Sequence, residues 1–161
     1  MLRIYPVVMA AAFLAGCNSP AAVSNGIVRH WDELSEADWE LEQEKGQNSY
    51  YGVPVLENKL IAHGQAGETE AMKLVRNFDH RIRCSGLTVI IGIKGRDRAK
   101  DVLVQHLTDP YEPIRWRCWH ELRDLGVVSI DSMPARQECL SQWKHLKLEL
   151  LEDMGRHVTA E

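Results

Sequence analysis

The chain of 161 residues carries 19 Lys plus Arg against 23 Asp plus Glu, and 45% of its residues are hydrophobic. That apolar share supports a packed core and excludes a wholly disordered chain, which cannot bury enough surface to offset the entropy of ordering. A net charge of −4 argues against a nucleic-acid binder, whose phosphate contacts demand a surplus of Lys and Arg.

Residues 1–17 read MLRIYPVVMAAAFLAGC. Arg3 is the single charge, and the apolar run from Ile4 to Leu14 is shorter than the roughly 20 helical residues that cross a bilayer. A positive start, an apolar stretch and small residues at its end describe a secretory signal peptide, although Pro6 interrupts the run. Leu14-Ala15-Gly16-Cys17 resembles a bacterial lipobox. The resemblance implies a signal peptide over 1–16, cleavage before Cys17, and acylation of Cys17 (palmitate among the chains) as a membrane anchor. By resemblance to enterobacterial lipoproteins, an Asp at position 18 would retain the protein at the inner membrane. Asn18 stands there instead, which implies the outer membrane, facing the periplasm. The small polar stretch NSPAAVSNGIV, residues 18–28, reads as a tether. Residues 17–29 are therefore expected to be a lipidated leash spanning about 17–20 Å on average, with the folded domain over 30–161.

Residues 31–45 predict an acidic helix with Leu34, Ala37 and Leu41 on a narrow apolar stripe and Trp39 off it. Ser35 and Asp38 resemble a capping box, so the regular part of this helix is expected to start there. Pro54 to His63 follows, with Val55, Leu56, Leu60 and Ile61 apolar and Gly64 placed to end it. Glu68 to Phe78 carries Ala71, Met72, Val75 and Phe78; Arg81 to Ile91 carries Ile82, Leu87, Ile90 and Ile91, with Gly92 and Gly95 behind. Asp97 to Leu107, Pro113 to Leu125 and Pro134 to Met154 complete the helical series. Thr88-Val89-Ile90-Ile91 is the one run that β-propensity would assign to a strand.

At an offset of 32 the chain aligns with itself: Ile82 meets Ile114, Arg83 meets Arg115, Leu87 meets Trp119, Ile90 meets Leu122 and Gly86 meets Cys118. Self-similarity at such a period marks repeats that bury their apolar faces only by stacking; a plain helical bundle is the alternative. Residues 101–126, DVLVQHLTDPYEPIRWRCWHELRDLG, resemble a HEAT-type repeat of the short bacterial kind also found in phycobilisome-lyase-like proteins. Leu107, Asp109, Pro110, Ile114, Arg115, Leu122 and Gly126 carry that resemblance. It implies an all-α fold of HEAT-like antiparallel helix pairs, a short α-solenoid following the cleaved signal peptide. It also implies that Asp109 caps the turn and that Arg115 hydrogen-bonds nearby carbonyls or acids. The copy at 69–94 departs from the pattern, with Asn77 at the place of Asp109 and His80-Arg81 at that of Glu112-Pro113.

Seven His residues invite a metal search, but no two are spaced i, i+4, and His120-Glu121 lacks the second His of a zinc-protease helix, Asp124 standing there. Neither a metal nor a cofactor is expected. Once Cys17 is acylated, Cys84, Cys118 and Cys139 remain; a Cys118–Cys139 bridge and three buried thiols are both open. Cys118, near Arg115, Arg117 and His120, is the candidate for a Cys-dependent enzyme, but its place on the apolar stripe favours burial, and no catalytic residue is assigned. Charge is segregated: residues 30–58 hold eight acids and one base, and residues 76–100 hold seven bases and two acids. The two stretches could face each other, be solvated, steer a charged partner, or (the basic one) meet anionic headgroups. Trp39, Arg115, Trp116 and Arg117 are the candidate partner-binding residues, Trp and Arg being the side chains most enriched at binding hot spots.

The sequence thus predicts a membrane-anchored, non-catalytic envelope lipoprotein whose repeats bind a protein partner in the periplasm. Two narrower forms are an immunity protein that neutralises a periplasmic toxin or cell-wall hydrolase and an assembly factor for an envelope complex.

Overall fold

The computed structural model describes residues 19–34, 53–132 and 140–155. These residues are helical, with no strand among them: α1 (Pro20–Glu33), α2 (Pro54–Ala62), α3 (Gln65–Leu74), α4 (His80–Gln105), α5 (Glu112–Asp124) and α6 (Leu140–Asp153). Single 3₁₀ turns lie at His106–Thr108 and Ile130–Ser132. The chain forms two compact units, residues 1–93 and 94–161. Among the described residues no helix is long and apolar enough to cross a membrane.

In the first unit, the stretch read as a tether carries α1. Ser19 caps it, its Oγ accepting from the Ala22 N–H at 3.2 Å, and Pro20 opens the first turn, where its missing N–H costs nothing. Ser24, Asn25 and Gly26 are poor helix formers, which is why composition pointed to a leash. Packing overrides them. Val23, Ile27 and Trp31, four residues apart, form a buried stripe, and the Trp31 indole N–H donates to Ser85 Oγ at 3.2 Å. Gly26 brings α1 close to α2, where an added Cβ would stand 3.4 Å from Leu56 Cδ1. The acidic helix expected over 31–45 is not continuous from Trp31, since α1 ends at Glu33 and Leu34 is extended; the start marked by the capping box at Ser35 lies, with residues 35–52, outside the described ones.

Helices α2 and α3 meet at Gly64, whose φ of 56° and ψ of −128° suit only glycine. At Gly67 a side chain would collide with the Leu60 carbonyl, so α3 lies directly on α2. From Ile82 to Leu87 every residue of α4 is buried. Such a helix is enclosed on several sides, which explains why its apolar run reads ambiguously in sequence. Thr88-Val89-Ile90-Ile91 is helix, not strand, and Thr88 Oγ1 bonds back to the Cys84 carbonyl at 3.1 Å.

The run His80–Gln105 is two helices meeting at Gly95, where φ is 73° and ψ 160°. In the second unit Ala99, Leu103, Val104 and Leu107 are buried, as are Ile114, Cys118, Trp119 and Leu122 of α5 and Trp143, Leu146, Leu150 and Leu151 of α6. Gly126, with φ of 70°, ends α5 in a Schellman arrangement: its N–H donates to the Arg123 carbonyl and that of Val127 to the Leu122 carbonyl. Among the described residues the positive-φ glycines are Gly64, Gly95, Gly126 and Gly155. Each closes one helix or opens the next, at successive intervals of 31, 31 and 29 residues.

Candidate functional site

Two short turns, one in each unit, are built alike. In the first, Asn77 Oδ1 accepts from the Asp79 N–H at 2.9 Å, and Arg83 Nη1 donates to the carbonyls of Asn77 at 3.0 Å and Phe78 at 2.6 Å. In the second, Asp109 Oδ1 accepts from the Tyr111 N–H at 2.8 Å, and Arg115 Nη1 donates to the carbonyls of Asp109 at 2.7 Å and Pro110 at 3.1 Å. Every partner in one turn lies 32 residues from its counterpart in the other. An amide and a carboxylate serve interchangeably because each offers one oxygen to an N–H two residues on.

The first turn carries more restraint. Arg81 grips Asp79 with Nη2 at 2.6 Å and Nε at 3.1 Å, sends Nη1 to the Leu34 carbonyl at 2.8 Å, and lies over the Trp31 ring at 5.5 Å. Burial raises the Asp79 pKa, but the Arg81 hydrogen bonds and charge together outweigh it and hold the carboxyl below its usual value. What this scaffold presents is Phe78, whose side chain is fully exposed at 104%. The periodicity put Phe78 on the core stripe of a helix running to position 78; α3 instead ends at Leu74, and Phe78 stands in the turn. The offset-32 alignment holds the missed signal, since it pairs Phe78 with Pro110, a turn residue.

The second unit holds the Arg115–Trp116–Arg117 group. Arg115 Nη1 serves its own turn, and the guanidinium lies 5.7 Å from the Trp143 ring centroid. Trp116 is half-buried; its indole N–H donates to Glu112 Oε1 at 2.9 Å, and its ring meets Trp119 and Trp143 edge-on at 6.2 and 5.7 Å. Arg117 is half-buried. Trp119 is wholly buried, as its alignment with Leu87 requires. Structure therefore gathers Arg115 and Trp116 with Trp119 and Trp143 in one aromatic cluster, whereas Cys17 and Trp39 lie outside the described residues, as does Cys139 with the bridge considered for it.

Cys118 is buried at 0% exposure. Within the basic stretch, Arg81 and Arg83 are committed to the Phe78 turn, and Arg96 pairs with Glu121. Comparison with known protein families, with curated proteins and with solved structures returns no match for this chain.

Proposed function

We propose that the protein is a bacterial envelope lipoprotein, anchored through Cys17 at the outer membrane, whose HEAT-like repeats form a short solenoid that binds a periplasmic protein partner and catalyses no reaction. The lipobox at 14–17 supports the anchor. The paired turns at Asn77 and Asp109, with the glycines at 64, 95 and 126, support the repeats.

The observation that carries the binding reading is Phe78, a fully exposed aromatic on a turn fixed by its own hydrogen bonds. Leaving such a ring in water forfeits about 1.5–3 kcal/mol of burial. Because the turn is already ordered, a partner that covers the ring recovers that energy with little loss of backbone entropy. Trp116, half-exposed and oriented by Glu112, is a second contact of the same type in the other unit.

A photo-crosslinking residue placed at 78 in intact cells tests this, with position 55, where Val55 is 67% exposed, as the control. The expected result is one saturable protein adduct at 78 and none at 55. Equal adducts at both positions, or none at 78, would refute the reading. Cys17→Ser is expected to move the protein from the membrane to the soluble fraction.

A further inference from the structure

The lipobox places Cys17 two residues ahead of Ser19, and Ser19 is the N-cap of α1. Two residue steps span at most about 7 Å, against the 17–20 Å expected for a flexible stretch of about eleven residues. Nor can α1 act as a detachable arm. Its stripe of Val23, Ile27 and Trp31 is 3%, 0% and 3% exposed. Its far end is held by the Trp31–Ser85 bond and by Arg81 on the Leu34 carbonyl.

We infer that the lipid anchor and the first folded unit are joined without a leash, so that the N-terminal end of α1 rests on the bilayer surface itself. The inference rests on the lipoprotein reading of Cys17. The partner it names is a lipid headgroup surface, brought within reach by the covalent chain.

The side chains at that end suit the contact. Residues 18–28 carry no charge, and Ser19, Ala21 and Asn25 are the exposed ones at the start of α1. The first charge along the helix is Arg29. No acid is there to be repelled by an anionic leaflet, and no buried ion has to be desolvated. Ala21 lies about 3 Å further along the helix axis than Ser19, so it stays near the headgroups whatever the tilt of α1.

The test uses the full lipidated chain in vesicles of phosphatidylethanolamine and phosphatidylglycerol bearing a headgroup nitroxide quencher. A fluorescent amino acid replaces Ala21, with or without a Gly/Ser spacer inserted between Asn18 and Ser19. Strong quenching that falls several-fold on adding the spacer is expected. If the protein floats with the vesicles and Cys17 carries acyl chains by mass spectrometry, yet quenching is weak and indifferent to the spacer, the seating is overturned while the anchor stands. Absence of acyl chains on Cys17 would overturn both.

Discussion

Gly86→Ala is expected to destabilise the protein although alanine is the better helix former. A Cβ at position 86 would stand 2.7 Å from Val75 N, 2.8 Å from Val75 Cγ1 and 2.9 Å from Leu74 Cβ, where ordinary contact begins at 3.4 Å. Two of these atoms are backbone or directly attached to it, so no rotamer change relieves the clash; the end of α3 must retreat from α4 by several tenths of an ångström. Overpacking of this kind costs about 1–3 kcal/mol, and the immovable neighbours place this site in the upper half of that range. Helix propensity returns about 1 kcal/mol, leaving a net loss of about 1–2 kcal/mol. For a chain of this size that lowers Tm by about 2–8 °C. Thermal unfolding followed by far-UV circular dichroism reads the shift. Gly92→Ala is the control: its nearest atoms, at 2.5 and 2.9 Å, are Cδ1 and Cγ1 of the Ile61 side chain, which can rotate away, so Tm should hold or rise. A Gly86→Ala variant melting at or above the parent would refute the close approach of α3 and α4.

Phe78→Ala should change stability by less than about 0.5 kcal/mol, because the ring is fully exposed and its removal opens no cavity; a larger loss in chemical denaturation would place Phe78 in a core. Gly95→Ala should lose about 1–3 kcal/mol from the backbone alone, since φ of 73° with ψ of 160° is a region only glycine occupies freely, and the same assay reads it. The Asp79 carboxyl is held below the usual 3.8, so its pairing with Arg81 contributes fully above that value and is lost as pH falls through the lower folded pKa. Protection from hydrogen exchange, taken relative to the intrinsic rate, should fall at Arg81, whose N–H donates to Asp79 Oδ1, as pH drops below the usual carboxylate value, and Asp79→Asn should abolish that acid step; protection indifferent to acid would count against the pairing.

Helix content was legible wherever apolar residues recur at helical spacing, as in α2, α5 and α6. Two elements were misread for opposite reasons. Composition concealed α1: weak helix formers dominate Ser24-Asn25-Gly26, and only tertiary burial of Val23, Ile27 and Trp31 makes the segment a helix. Periodicity overextended the third predicted helix, because Phe78 falls in register with Ala71 and Val75 although Asn77 has already turned the chain. The site followed the same logic. Arg115 and Trp116 were visible as residue types, and the part of Arg115 in its turn followed from the resemblance to HEAT repeats. The aromatic cluster with Trp143 depends on residues 27 positions apart, a proximity no local pattern encodes. Cys118 shows burial being read correctly from one stripe, since its neighbours Ile114 and Leu122 are buried with it.

The recurrence of left-handed glycines gives the chain something like a ruler. Each of Gly64, Gly95 and Gly126 marks a join at which one helix stops and the path reverses handedness for a single residue, and the joins are evenly spaced. An insertion or deletion inside a segment would slide buried side chains out of phase with those they pack against. The segment from Gly64 to Gly95 and that from Gly95 to Gly126 each carry their own turn, capping oxygen and clamping arginine. Between these joins a change of length by one or two residues is therefore tolerated worse than the same change placed at a join.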